Sequence, residues 1–228
     1  SAIQYFFELN SIDFVINCAA YTAVDKAETD EETAHRINSV APGVLARMSK
    51  KTGAGFIHLS TDYVFDGRHF QPYTEIHTTN PKTVYGRTKL EGEENCMKEN
   101  PDSLIVRTSW LYSSFGNNFV KTILRLGNER NEVDVVFDQL GTPTYAADLA
   151  KAILLIVEKY RENREQIIPG IYHYSNEGAI SWYDFAKAVF ELAGINCRIN
   201  PVLSKEFLRP APRPHFSVFD KTKIKNNR

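Results

Sequence analysis

Short apolar runs and amphipathic stretches take turns along this chain. Asp13–Cys18, Gly55–Ser60, Ser103–Thr108, Glu132–Val136 and Gly170–Tyr174 have the length and composition of buried strands. Between them lie helical patterns. Thr29-Asp-Glu-Glu32 spells a capping box and predicts a helix to about Lys51. Pro42 should kink or restart that helix, and Gly53 should stop it. A second helix carries Tyr85 and must end before Pro101. A third is expected over 118–130. In a fourth, Tyr145 to Tyr160, the residues Ala146, Leu149, Ala150, Ile153, Val157 and Tyr160 share one face. Ser181-Trp-Tyr-Asp184 is another capping box. Phe185, Ala188, Val189 and Leu192 form the stripe behind it, and Gly194 is the stop.

Strands alternating with helices predict an α/β fold: a Rossmann-like, doubly wound parallel sheet with helices on both faces. Residues 1–150 read as the dinucleotide-binding and catalytic part. Residues 151–228 read mostly as a small C-terminal substrate-binding lobe, interleaved with the main domain. The proline-rich Arg209–Pro214 reads as an extended segment. Ligands of such sheets bind beyond the carboxyl ends of the strands. Ala19–Val24, Ser60–Tyr63 and Ser109-Trp110 fall there. The long connection from Thr61 to Pro81, rich in aromatic and polar residues, is of the kind that carries function.

Composition excludes several function classes. The 228 residues are 43% hydrophobic and 24% charged, which suits a packed core and argues against disorder. With 27 basic and 28 acidic residues, the formal net charge of −1 offers no bulk attraction to a polyanion. Nucleic acid is therefore not an expected partner. Nor is a membrane, since the longest purely apolar run, Ala152–Val157, is far too short to span a bilayer and no secretory signal opens the chain. Cys18, Cys96 and Cys197 are odd in number and lack ligand spacing, which fits reduced thiols in the cytoplasm. The six histidines are scattered, so no metal site is expected.

The most informative pair is Tyr85 and Lys89, one helical turn apart on a shared face. A positive charge beside a phenol favours the phenolate and lowers its pKa from roughly 10. Such a group can protonate an alkoxide forming from a carbonyl, the acid half of a ketone reduction. The spacing alone fits a solvated helix face equally well. Its position after Ser60-Thr61, in the order strand, loop, helix, singles out the catalytic reading.

This layout resembles the extended short-chain dehydrogenase/reductases, where a Ser or Thr after a strand precedes Tyr-x-x-x-Lys. Asn17–Glu28, Ser60-Thr-Asp-Tyr-Val-Phe-Asp-Gly67, Val84–Glu93 and Arg107-Thr-Ser-Trp-Leu-Tyr112 are similar to the dTDP-4-dehydrorhamnose reductases. So are Gly116–Phe119, Asp138–Thr144 and Arg213-Pro-His215. The resemblance covers nearly the whole chain. It implies NAD(P)H-dependent reduction of the C4 keto group of dTDP-4-dehydro-6-deoxy-L-mannose to dTDP-L-rhamnose. Tyr85 would donate the proton and Thr61 would hold the substrate carbonyl. Lys89 would lower the Tyr85 pKa and bind the nicotinamide ribose. Ala19, Ala20, Tyr21 and Ser60, with Tyr85 and Lys89, would line the cofactor, NADPH or NADH. Val24, Tyr63, Phe65 and Trp110 would line the sugar pocket. Asn38, within its helix, suits either a solvated position or support of the site through water. Arg209 and Arg213 suit either a diphosphate or interdomain carboxylates. The partner implied is a dTDP-linked 4-keto-6-deoxy sugar, and a homodimer stays open.

The chain departs from that family in two ways. No glycine-rich turn of the G-x-x-G-x-x-G kind is present, and the resemblance implies that about one βα unit is missing from the N-terminus. The expectation is that these 228 residues alone bind NAD(P)H poorly and are inactive, and that a longer parent is the reductase. Further, Tyr145 stands where some members place a magnesium-binding Glu, so the metal expectation remains none. Two rival readings share the fold. An epimerase or dehydratase of a nucleotide sugar would need acid/base residues that Asp62-Tyr63 does not supply. A non-catalytic regulatory subunit, like that of methionine adenosyltransferase, is disfavoured by the intact Thr61, Tyr85 and Lys89.

Overall fold

The structure is a computed structural model that describes residues 2–163 and 168–226. Helix α1 (Ala2–Leu9) leads into strand β1 (Phe14–Asn17), and a short α2 (Val24–Ala27) follows. The helix expected from Thr29 begins instead at Glu31, after Asp30, because the Thr29 hydroxyl donates backwards to the Lys26 carbonyl at 3.1 Å. It is also divided. α3 (Glu31–His35) passes through a π-helical turn, Arg36–Val40, into α4 (Ala41–Thr52). Pro42 sits in the first turn of α4, where its missing N–H costs nothing. The π turn turns Asn38 and Ser39 into the interior. Gly53, with φ 77°, ends α4.

Strand β2 (Gly55–Thr61) is followed by a single 3₁₀ turn, Asp62–Val64. Next come α5 (Val84–Glu99), β3 (Leu104–Thr108), β4 (Leu111–Tyr112), α6 (Phe119–Glu129) and β5 (Glu132–Val136). Two-residue strands β6 (Leu140–Gly141) and β7 (Thr144–Tyr145) precede α7 (Ala146–Glu162). The chain ends with β8 (Gly170–His173), β9 (Ile180–Ser181), α8 (Trp182–Ala193), β10 (Arg198–Val202) and α9 (Thr222–Asn226). The helix starts follow local chemistry. Thr83 and Asn118 side chains accept the backbone N–H groups of Gly86 and Lys121, and the Ser181–Asp184 capping box forms as expected.

The main sheet runs β1-β2-β3-β8, with every pair parallel. One face packs Ile57, Leu104, Val106 and Tyr172 against Leu149 and Ile153 of α7 and Ile224 of α9. The other packs Phe56 and Ile105 against Ala46 and Cys96 of α4 and α5. A second lobe lays α6 and α8 on the parallel pair β5 and β10, around Ile123, Val133, Val135, Val189 and Phe190. The buried stripe of α8 is Ala186, Val189 and Phe190, turned away from Leu192, which is 90% exposed. β10 hides from pattern reading because it contains Pro201. A two-stranded ladder leaves outward positions where a missing N–H is harmless.

The lobes interleave more deeply than a cut near residue 150 describes. α6 and β5 precede that point and belong to the second lobe, while β8 and α9 return to the main sheet.

Candidate active site

Thr61 ends β2 and Tyr85 opens α5, and the two meet. The Thr61 side chain lies close enough to the Tyr85 phenol to act on its proton affinity. Gly86 makes this approach feasible, since a Cβ there would run into the Tyr63 carbonyl oxygen. The Glu28 carboxylate accepts the Val84 N–H at 2.9 Å, so the N-terminus of α5 is also tied to the α2 region. Thr61 Oγ1 donates to Asp62 Oδ1 at 3.0 Å and accepts the Tyr63 N–H at 3.2 Å. The Tyr63 ring stands edge-on to Tyr85, with centroids 5.4 Å apart.

Burial pushes the Tyr85 phenol up to about 12, against the lowering effect of Thr61. The expected lowering by Lys89 is not met in the chain alone. Lys89 points into the protein, donating to the Leu59 carbonyl at 2.6 Å and standing 3.2 Å from His58 Nε2. Burial pulls its amine down to about 8, opposed mainly by Glu93. Burial also raises Asp62 to about 6, with Ser217 and Thr61 opposing.

A buried polar core lies under these groups. Arg107 grips Glu93 through Nε at 2.9 Å and Nη2 at 2.6 Å, with both side chains 2% exposed. The Ser60 hydroxyl also donates to Glu93. Ser60 is thus turned inward to the carboxylate, away from the cofactor role expected of it. Asn38 clips the loop after β1 onto α5. It accepts the Tyr21 N–H at 2.8 Å and donates to the Tyr21 carbonyl at 3.1 Å and to Thr88 at 3.2 Å. Asn38 is thus buried and bonded directly to protein groups, not solvated.

A cavity of about 900 Å³ opens beside Asp62 and Tyr63, between the lobes. Trp110, Phe119 and Trp182 line it on one side, and Arg209, Arg213 and Pro214 on the other. Trp110 is the non-glycine residue with positive φ (48°) among the described residues, a conformation of uncommon cost. Its indole stacks on Trp182 with centroids 3.5 Å apart, and Gly141 lies so close to the ring that no Cβ would fit. Of the expected pocket residues, Tyr63 and Trp110 line the cavity. Phe65 does not. It is 2% exposed, stacked on Tyr73 and packed against His173 and Phe219, because the chain after the 3₁₀ turn dives into the core. Val24, at the start of α2, is also absent from the lining. Trp182 belongs to the cavity and was missed, since within a capping box it reads as an ordinary helix-start aromatic.

Arg213 forms a two-pronged pair with Asp25, at 2.9 and 2.7 Å, and Arg209 lies 3.9 Å from the same carboxylate. The Arg213 hydrogen bond holds Asp25 below its usual range. Of the two roles open to these arginines, the structure displays the interdomain carboxylate.

A Thr and a Tyr at the carboxyl end of a parallel sheet, with a Lys buried behind them and a cavity opening beside the adjoining Asp62 and Tyr63, define an extended short-chain dehydrogenase/reductase. Comparison with known proteins narrows the class. The family model described as the RmlD substrate binding domain matches residues 1–228, and the chain belongs to that family. It is 46% identical over 209 residues to the dTDP-4-dehydrorhamnose reductase of Mycolicibacterium smegmatis, covering 90% of this chain and 62% of that one. The crystal structure of a dTDP-4-dehydrorhamnose reductase from Clostridium acetobutylicum superposes with a TM-score of 0.93 at 44% identity, over 99% of this chain and 78% of that one. The Bacillus anthracis dTDP-4-dehydrorhamnose reductase, solved in complex with NADP, gives 0.91 at 40% identity over the same shares. Among the described residues, no helix is long and apolar enough to cross a membrane, and no cluster of His, Cys, Asp or Glu could hold a metal ion.

Proposed function

We propose that this chain carries the reduction of the C4 keto group of dTDP-4-dehydro-6-deoxy-L-mannose to dTDP-L-rhamnose, with NADPH as reductant. The observation that carries this is the placement of Thr61 and Tyr85 next to Tyr63, whose ring meets Tyr85 and which walls the cavity together with Trp110 and Trp182. The relatives' names agree with it. The nicotinamide, when bound, supplies the hydride. The residues fit such a group. Ala19 is exposed and Ala20 half-buried, both small, at the carboxyl end of β1. Tyr21 is tethered away through its hydroxyl to Asp30 at 3.0 Å. These residues, with Tyr85 and Lys89, would hold the cofactor.

In this reading the Tyr85 hydroxyl gives its proton to the oxygen that develops charge at C4. In the chain alone the Thr61 hydroxyl is spent on Asp62, so it turns from that carboxylate to the substrate oxygen as charge builds there. A phenol near 12 is a weak acid, so the ammonium of Lys89 must act on it once the site fills. The setting is cytoplasmic, in keeping with three free thiols. The test is oxidation of NADPH by the full-length protein with the dTDP-4-keto-6-deoxy sugar, compared with Tyr85→Phe. Loss of turnover with intact cofactor binding supports the acid role, and equal rates remove it.

A further inference from the structure

The carbonyl chemistry above does not account for a buried string of hydrogen bonds behind Lys89. Asn17 of β1 and His58 of β2 are cross-strand partners, 5% and 0% exposed. Asn17 Nδ2 lies 2.9 Å from His58 Nδ1, and His58 Nε2 lies 3.2 Å from Lys89 Nζ. At the far end, the backbone N–H of Ala19 donates to Asn17 Oδ1 at 3.2 Å.

The direction of that string is set at its backbone end. An amide N–H can only donate, so Asn17 must present Oδ1 to Ala19 and its NH₂ to His58. His58 Nδ1 must then accept. Burial holds the imidazole well below its usual range, hence neutral, and a neutral ring accepting at Nδ1 carries its hydrogen on Nε2. That hydrogen arrives at Lys89 Nζ. An ammonium has three N–H groups and no lone pair, so it cannot receive it, whereas an uncharged amine can. The amine would still donate to Leu59 and keep one hydrogen for the site.

The charges around Nζ do not override this order. Glu93 and Cys96 face it from its own helix, His58 from β2 and Cys18 from the end of β1. Glu93, the group best able to hold an ammonium, is already engaged by Arg107 and Ser60. Burial of the amine works in the same sense as the hydrogen-bond order.

We propose that Asn17 and His58 are positioning residues that hold Lys89 by a directed hydrogen-bond relay and lower its affinity for a proton. Charging Lys89 requires the relay to reverse. The His58 hydrogen moves to Nδ1 and the Asn17 amide turns over, which sets its NH₂ against the Ala19 N–H. The relay therefore sets the pH range in which Lys89 carries the charge that the Tyr85 chemistry uses. That functional consequence rests on the reductase reading, while the relay itself does not.

Two measurements on the protein without substrate test the relay. Long-range ¹H–¹⁵N spectra should show His58 as the Nε2–H tautomer. The ¹³Cε resonance of Lys89, assigned by its loss in Lys89→Met, should titrate at least a hundredfold in proton concentration away from the surface lysines, on the acid side. An Nδ1–H tautomer, or a Lys89 titrating with the surface lysines, overturns the proposal. Asn17→Asp supplies the opposite order, because a carboxylate accepts from both Ala19 and His58. There the ring hydrogen should move to Nδ1 and the Lys89 midpoint should rise at least tenfold in proton affinity. A rise with the ring hydrogen still on Nε2 means a merely Coulombic effect of the new charge and refutes the relay. If Asn17→Asp does not fold, the wild-type tautomer and midpoint decide alone. In the activity arm, the basic limb of the pH profile should move up by the same factor in Asn17→Asp. If the tautomer and midpoint behave as stated while neither protein reduces the sugar, the reductase reading fails and the relay stands.

Discussion

The two lobes of this chain are stabilised in opposite ways. Around α6, α8, β5 and β10 the interior is apolar, made of Ile123, Val133, Val135, Val189 and Phe190. Beneath the carboxyl ends of β2 and β3 the interior holds Arg107, Glu93, Lys89, Asp62 and His58, all buried. Apolar burial rewards stability directly. Buried ionisable groups are costly and survive only when paired, so their concentration in one lobe marks where chemistry constrains the interior. The second lobe supplies most of the cavity wall, and the first holds the groups proposed to react.

The largest effect that should separate the lobes is kinetic. Tyr85→Phe removes a proton donor and should lower turnover by about 10²–10⁴-fold. Trp182→Ala in the second lobe should chiefly raise KM, because Trp182 walls the cavity without touching Thr61 or Tyr85. Steady-state rates on both variants check this, and comparable falls in kcat would erase the division of labour.

Next comes the cost of breaking the buried pair. Arg107→Met should destabilise the fold by about 3–5 kcal/mol, because Glu93 is left charged and buried. Adding Glu93→Leu should recover most of that loss. Urea unfolding of the two variants measures the coupling, and a double variant no more stable than the single one would show that packing, not charge, dominates here.

Asp62 gives a smaller and pH-dependent effect. Its folded pKa of about 6 lies above the ordinary value of 3.8, so the folded state binds the proton more tightly than the unfolded chain. Its contribution is most favourable below about pH 4 and is lost as pH rises through 6. Asp62→Asn should thus stabilise the protein at pH 7 by on the order of 2–3 kcal/mol, with the gain vanishing below pH 4. A gain that did not depend on pH would contradict the burial argument. The smallest effect is Ser181→Ala at the capping box of α8, about 1 kcal/mol at pH 7 and less in acid, because the Ser181 hydroxyl is the main group holding Asp184 below its usual range.

How much of this was legible beforehand varies with the range of the interactions. The four main strands, the caps at Ser181 and the glycine stops at Gly53 and Gly194 are local, and they appear where the pattern places them. The Thr29 cap failed because a competing carbonyl, Lys26, took its hydroxyl. β10 was invisible because Pro201 interrupts its strand pattern, and only pairing with β5 shows that the position tolerates it. The Tyr85 and Lys89 pair was visible as spacing, but their contacts were not. Helical spacing places both on one face and says nothing of which buried acceptor each finds.

The sequence by itself determined the alternation of strands and helices, the candidate set Thr61, Tyr85 and Lys89, and a resemblance strong enough to name a family. Those follow from periodicity and from short motifs, which are properties of neighbours in the chain. Only the tertiary structure decided that Phe65 packs in the core while Trp182 walls the cavity, and that Arg213 closes on Asp25. It alone decided that Lys89 is held from behind by His58. The physical reason is the same in each case. Burial and hydrogen-bond direction are set by groups that meet only when distant segments pack, and these set the proton affinities on which the chemistry depends.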